Sequence, residues 1–395
     1  MGDRDHVCMI KGLCFMSAEM NRREFLKQMG KFGLAGAGLL MGMSILNSCR
    51  YPFQREKVAD DSGHEEERFM AFSNKSLGYY FFIVQQEAVN RAAEAYGWHF
   101  KASIADFDPV KQTRHFNQFV RQKPVAIIMD PIDSEGLSSS LKKAKLAGIP
   151  VGVIDTPITV PTDQVVLTVA FDNYKGGVMA AEKIVQLLRK KYGEARGTVL
   201  NGYGVMSSYA WRLRKKGFET VISQYPNITC ISKGTEGDLA KTHAVTMEVL
   251  TEYKHLDAVH SPSETPARGI YQALEETGRL HPVGSPKHVI FVTIDGEPLA
   301  HQWIKEGILD ASISQDPIAY GEICVELLAK YIIPGKQIPG ETYSNSRYYW
   351  EKAKIVKSGS STNIIIPPFE INQHNINDRR LWGNIAFNDW GLKYL

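Results

Sequence analysis

From Arg68 onward the chain alternates short apolar runs with segments of helical period, and few architectures accept that alternation. "RFMAFS" precedes an amphipathic stretch from about Tyr80 to Ala95, and "WHFKASIA" precedes one around Val110–Arg121. "VAIIM" leads into Ser134–Ala147, and "PVGVI" and "VVLTVA" precede a helix from about Tyr174 to Lys191. "GTVLN", "ITCIS", "DAVHS", "VIFVTI" and "DASIS" extend the series, mostly with a helix after each. Strands of this length separated by helices form βαβ units on parallel sheets. About ten strands are many for one sheet, so the fold class expected is α/β with two sheets in two lobes. At 44.3 kDa the chain is long enough for two cores.

In open α/β sheets ligands bind beyond the carboxyl ends of the strands, so the residue closing each strand is informative. The runs end on Asp106, Asp130, Asp155, Asn201, Asp295 and Gln315, and "AVHSPSE" offers His260, Ser261 and Ser263. Carboxylates and amides at so many strand ends can ring one cleft with acceptors and donors. Ligands rich in hydroxyls need such a ring, because each buried hydroxyl must be paired. Taken singly, Asp133, Ser134 and Ser263 equally suit helix N-caps, and the Asp–Pro and Asp–Gly pairs equally suit turns.

Catalytic and nucleic-acid signatures are missing. The sequence has no G-x-S-x-G, no H-E-x-x-H and no P-loop lysine motif, and its eleven histidines lack metal-ligand spacing. "NGYGVMSS" places Ser207 where a dinucleotide fingerprint needs its third glycine, and it lies mid-chain. The expectation is therefore no enzyme, no cofactor and no metal. Six of the 46 Lys/Arg and four of the 43 Asp/Glu fall in residues 1–49, leaving 40 against 39. A body so near neutrality has no electrostatic footprint for nucleic acid. The five cysteines, Cys8, Cys14, Cys49, Cys230 and Cys324, match no zinc or redox spacing. Pairing of Cys230 with Cys324 and two buried free thiols both stay open.

Ahead of the body stands an address. Arg22 and Arg23 precede an apolar core from Phe32 to Leu46, and "LNSC" closes it at Cys49. That order describes a secretory signal, and 15 residues are short for a spanning helix, which needs roughly 20. "NRREFLK" resembles a twin-arginine export signal and "LNSC" resembles a bacterial lipobox, which implies cleavage before Cys49 and lipidation of its thiol. Residues 1–49 are the expected signal segment, with 1–19 a possible upstream extension before Met20, and the aperiodic, charged residues 50–67 are the expected tether.

The stretches "YYFFIVQQEAVNRAAEAYGW", "IIMDPIDSEGL", "AGIPVGVIDTP", "VAFDNYKGG", "WRLRKKGF", "VTIDGEP" and "SISQDP", in this order, carry a family likeness. Over residues 68–343 the body resembles the periplasmic sugar-binding proteins of ABC transporters, of the ribose-binding type. The resemblance implies a type I periplasmic binding protein: two Rossmann-like lobes joined by a three-segment hinge, closing on one sugar. It divides the body into an N-terminal lobe, 68–171 plus 316–343, and a C-terminal lobe with tail, 172–315 plus 344–395. The hinge crossings are then expected near Val169–Asp172, just after Gln315 and near Tyr343.

The resemblance also implies roles. Phe81 and Phe82 match the aromatic pair that sandwiches a sugar ring. Asp155 and Asp295 match carboxylates that accept from sugar hydroxyls, Arg214 matches a ligand-contacting fork, and Gln315 matches an amide at the hinge. Asp130 and Ser263 join them as strand-end candidates. Thr156 stands where the family often has Arg, Gly237 where the ribose binder has an aromatic, and Ser263 or Glu264 where it has Asn. Trp211 either restores the lost stacking surface or is core. These departures argue against ribose itself and leave another pentose, a hexose or a cyclitol. The function implied is an extracytoplasmic, monomeric solute receptor, held to the membrane only by lipidated Cys49, that delivers its ligand to an ABC permease. A sugar sensor with a signalling partner shares the fold, and an exported dinucleotide-dependent oxidoreductase is the enzymatic rival. Replacing Asp295 or Arg214 by alanine is expected to abolish binding and leave the fold intact.

Overall fold

A computed structural model describes residues 68–159 and 163–393. The expected signal segment, tether and lipidation site Cys49 lie outside the described residues. Among the described residues no helix is long and apolar enough to cross a membrane.

Two sheets organise these residues. The first runs β11-β12-β13-β5-β4-β3-β1-β2 and the second β14-β10-β9-β8-β6-β7. In the first, β1 (Phe69–Asn74), β3 (Ala126–Met129), β4 (Val151–Ile154) and β5 (Leu167–Phe171) are buried along their whole length. Continuous apolar runs such as "AIIM" and "VGVI" suit this position, because a parallel sheet is covered on both faces. Alternation within β1 divides the core. Met70 and Phe72 face the side of α1 (Tyr80–Ala95), while Phe69 and Ala71 pack with Phe116 of α2 (Pro109–Gln122) and Leu141 of α3 (Ser138–Leu146). The edge strand β2 (His99–Ile104) is half exposed.

The second sheet holds β6 (Gly197–Tyr203), β7 (Ile228–Gly234), β8 (Ala258–Ser261), β9 (Ile290–Asp295) and β10 (Ala311–Ser314). Around it lie α4 (Asn173–Tyr192), α5 (Tyr209–Ile222), α6 (Leu239–Glu252), α7 (Glu264–Glu276) and α8 (Pro298–Lys305). Helix starts follow local chemistry. Asp108 caps α2 through Val110 N (2.8 Å) and Lys111 N (3.0 Å), with Pro109 in the first turn. Asp316 does the same for α9 (Pro317–Leu327) through Ala319 N at 3.0 Å.

The chain passes from the first sheet to the second between Phe171 and Asn173 and returns after Gln315, where α9 packs on α1. The third passage differs from expectation. Instead of leaving near Tyr343, the chain adds β11 (Thr342–Ser344), β12 (Lys352–Ser358) and β13 (Ser361–Ile366) to the first sheet, β13 pairing parallel with β5. It then crosses at Pro367–Pro368 into β14 (Phe369–Ile371), antiparallel to β10. Residues 344–366 therefore belong with the first sheet. Two prolines suit a passage between sheets, since neither can donate to a ladder. Both sheets are consequently mixed, where wholly parallel ones were expected. Cys324 in α9 and Cys230 in β7 are both free thiols on different lobes, and they do not pair.

Candidate binding site between the lobes

In the first lobe three neighbouring strand ends converge. Asp130 follows β3, Asp155 and Thr156 follow β4, and Lys75 follows β1. The Lys75 ammonium lies 2.7 Å from Asp130 Oδ1, 2.8 Å from Asp155 Oδ2 and 2.6 Å from Thr156 Oγ1. Thr156 Oγ1 in turn donates to Asp155 Oδ2 at 3.1 Å. Burial alone would lower the Lys75 amine, but the Asp130 and Asp155 carboxylates outweigh it and raise it above its ordinary value. Gln112 fixes the Asp130 loop from behind: its Nε2 donates to Asp130 O (2.7 Å) and its Oε1 accepts from Ile132 N (2.9 Å).

In the second lobe Asp295, the last residue of β9, is a hub. Its Oδ1 accepts from Gln315 Nε2 (2.5 Å) and pairs with Arg214 Nη1 (3.1 Å), and its Oδ2 accepts from Ser263 Oγ (2.6 Å). Arg214 is buried within α5, with Nε on Asn173 Oδ1 (2.7 Å) and Nη1 also on Pro262 O (2.6 Å). Ser263 holds the N-cap position of α7 yet makes no cap bond, so its hydroxyl serves Asp295 instead. Burial raises the Asp295 carboxyl to about 6, against the opposing pull of Arg214, Ser263 and Gln315. Its backbone φ of 128° is one a side chain rarely adopts, and the hub holds it there. Glu264 supports the same corner, its Oε1 accepting from Ser312 Oγ (2.6 Å) and Thr293 Oγ1 (2.7 Å). The oxygens of Glu264, Asp295 and Glu297 lie within 4.8 Å of one another. Burial, then the neighbouring Asp295, raises Glu264 well above the carboxylate range.

Aromatic rings line the space beside both clusters. Phe82 lies 5.4 Å from the Lys75 ammonium and 5.4 Å from the Tyr79 ring. Phe81 meets Tyr320 at 6.2 Å and Trp382 at 5.9 Å, edge to face. Tyr320 donates its phenol to Gln315 Oε1 at 2.8 Å. Burial raises that phenol well above its ordinary value, and Asp155 of one lobe and Asp295 of the other both add to the rise. Tyr320 is thus close to both polar clusters, with Phe81 against it. Trp382 was assigned no role from sequence; its Nε1 donates to Asp295 O at 2.9 Å while its ring packs on Tyr80 and Phe81.

The lobes touch across the mouth. Tyr79 donates to Gly237 O (2.5 Å), Tyr209 N to Ser134 Oγ (3.2 Å), and Arg212 Nη2 to Glu135 Oε1 (3.3 Å). Trp211 lies over Gly237, where an added Cβ would stand 2.1 Å from its Cη2. The indole therefore fills the space that a side chain at 237 would take. With φ of +70° as well, Gly237→Phe is expected to destabilise the protein by about 2 kcal/mol or to expel Trp211, read by denaturant unfolding and Trp fluorescence.

The sequence-derived residues Phe81, Phe82, Asp130, Asp155, Arg214, Ser263, Asp295 and Gln315 all belong to these clusters and rings, and Trp211 packs over Gly237 where the lobes touch. Asp106 does not: it is exposed and pairs with Lys111. Asn201 and His260 bond each other at 2.8 Å in the second-lobe core, where burial, then Arg214, lowers the imidazole to about 3 and keeps it neutral. Lys75, Asn173 and Trp382 are additions from the structure.

The two α/β lobes thus bring carboxylates, amides and aromatic rings near the strand ends of both sheets close together. The periplasmic binding protein domain matches residues 70–337, and the chain belongs to that family, whose members are extracytoplasmic. The ribose import binding protein of Bacillus subtilis is 26% identical over 300 residues, covering 76% of this chain and 93% of that protein. The D-apiose import binding protein of Actinobacillus succinogenes is 29% identical over 230 residues, 58% of this chain and 69% of its own. Among solved structures, an ABC transporter solute-binding protein from Bacillus halodurans with bound myo-inositol superposes with a TM-score of 0.67 at 20% identity, covering 81% and 99%.

Proposed function

We propose that the protein is a receptor for a neutral sugar or cyclitol, which it binds between its lobes and delivers to an ABC permease. The observation that carries this reading is the Asp295 hub: a buried carboxylate at a strand end, set by Arg214, Ser263 and Gln315, flanked by aromatic faces and opposite a second carboxylate cluster. Ring hydroxyls donate to such carboxylates, and apolar sugar faces stack on Phe81 and Phe82. Contacts from both lobes exist together only when the cleft is shut, so the ligand favours the closed state that a permease can recognise. Binding and closure without bond making is a receptor's work, not a catalyst's. A lipid on Cys49 would keep this monomeric receptor at the membrane. The test is a melting-temperature screen of the protein against pentoses, hexoses, cyclitols and nicotinamide dinucleotides. A binder of the native state raises the midpoint by mass action. A rise with one or two polyols supports the reading; a rise with dinucleotides alone overturns it.

The ionisation of Asp295 gives this site a pH signature. With its carboxyl raised to about 6 from 3.8, the folded protein takes up a proton between those values that the unfolded chain lacks. That contribution is present below about pH 4 and is lost as pH rises through 6; Asp316, raised by burial to about 6, adds one of the same sign. Ligand affinity should run the opposite way, because only the carboxylate is a pure acceptor. At pH 5, one unit below the hub's pKa, binding is expected to be about tenfold weaker than at pH 7 by calorimetry. Equal affinities at the two pH values would remove Asp295 from the ligand contacts.

A further inference from the structure

Lys75 fits no role given to the other site residues. It follows β1 in the polar run "NKSLG", yet only 6% of its surface is exposed. Its ammonium has three protons and meets three acceptors: Asp130 Oδ1, Asp155 Oδ2 and Thr156 Oγ1, all within 2.8 Å. Two of these contacts, to Asp155 Oδ2 and Thr156 Oγ1, are hydrogen bonds, and Asp130 is held by charge. Both carboxylates keep further lone pairs, since each can accept about four bonds.

We propose that Lys75 is a positioning residue: clamped between Asp130 and Asp155, it holds both as hydroxyl acceptors and thereby restricts the cleft to neutral polyols. This deepens the receptor reading and rests on it. Without a cation, two buried carboxyls side by side cannot both ionise, and one takes a proton and turns from acceptor to donor. Burial pushes the Asp130 carboxyl well above the ordinary carboxylate range, and the Lys75 ammonium opposes that rise. Asp295 and Arg214 balance each other opposite, and Tyr320 and Gln85 also act on this cluster from neighbouring elements. Arg214 already spends Nε on Asn173 and Nη1 on Pro262 and Asp295. A uronate or sugar phosphate would bring a further anion beside Asp130 and Asp155, whose one cation already faces both. The Phe82 ring, 5.4 Å from the ammonium, fixes the cation further.

The test uses Lys75→Met, which keeps length and removes charge, and Lys75→Ser with Thr156→Arg, which makes room and returns a cation one side chain away. Carboxyl-carbon NMR follows the titration of Asp130 and Asp155 in the full chain without ligand. Calorimetry at pH 7.5 measures D-ribose, D-allose, myo-inositol and D-galacturonate. In Lys75→Met one carboxyl should titrate at least tenfold higher in proton affinity, and the best neutral probe should bind at least 100-fold more weakly. The double variant should restore both to within tenfold. Galacturonate should bind wild type at least 100-fold more weakly than the best neutral probe. Unchanged titration with affinity within threefold in Lys75→Met overturns the proposal, as does galacturonate binding wild type as well as the neutral probes. If Lys75→Met does not fold, recovery of fold and titration in the double variant supports the cation's role, and failure of both variants overturns it. If no probe binds wild type, the sugar reading falls, while the ligand-free titration still decides whether Lys75 holds the pair.

Discussion

Replacing Trp382 by alanine is expected to lower unfolding stability by about 3–5 kcal/mol, among the largest losses from a single substitution in this chain. The side chain is fully buried, and it lies beyond the segment that matches the family domain. It joins parts of both lobes: its ring packs on Tyr80 and Phe81 of α1, and its Nε1 bonds the Asp295 carbonyl. Truncation therefore leaves a cavity beside the aromatic rings and removes one of three hydrogen bonds to the Asp295 carbonyl, which keeps Gln315 N and Ser314 Oγ. Trp382→Phe keeps most of the packing and loses the bond, for an expected cost of about 1–2 kcal/mol. Denaturant unfolding followed by circular dichroism measures both. A loss below about 1 kcal/mol in Trp382→Ala would show that the tail is not part of the lobe packing.

Arg214→Ala should damage the protein in two ways. Read from sequence alone, this change removes a ligand contact and leaves the fold intact. The structure corrects that expectation, because Arg214 is 2% exposed and ties Asn173, Pro262 and Asp295 together. Removing one partner of a buried pair leaves the other uncompensated, at an expected cost of about 3–5 kcal/mol. The Asp295 carboxyl, already raised by burial, should rise further once the guanidinium is gone. Affinity for the sugar found in the screen is expected to fall at least 100-fold, equivalent to the loss of about two charge-assisted hydrogen bonds. Calorimetry under conditions where the variant is folded separates the two effects. Unchanged stability would contradict the burial argument, and unchanged affinity would remove Arg214 from the site.

Much of this site is visible in the sequence because a parallel sheet places strand ends side by side. Asp130 and Asp155 close neighbouring strands of the first sheet, and Asp295 and Gln315 neighbouring strands of the second, so topology brings each pair to one rim. Lys75 is invisible to that logic. Its meaning depends on Asp155, 80 residues later, and a lone lysine in a polar loop ordinarily reads as solvated. Asn173 was hidden for another reason: it opens α4, where an Asn is unremarkable, and the approach of Arg214 from α5 ties it to the hub. Trp382 sits in "RRLWGN", inside a tail that resembles the C-terminus of a subset of the family but has no period to show which side chain is buried. The misplaced crossing had a signal that could have found it. "IIIPPF" ends an apolar strand on two prolines, whereas Tyr343 marks only the first of three strands added to the first sheet. Trp211 over Gly237 needed coordinates, since nothing in one sequence says which aromatic fills a vacated space.

The central claim is that one neutral polyol is gripped by the Asp295 hub and the first-lobe wall together. Calorimetric titration of wild type, Asp295→Asn and Asp155→Asn with the polyol that gives the largest melting shift tests it most directly. A one-to-one isotherm for wild type, weakened at least tenfold by each substitution alone, is the predicted result. Each variant removes acceptor charge from a different lobe, so both must matter if the ligand spans the cleft. A polyol that binds both variants as tightly as wild type would contradict the account.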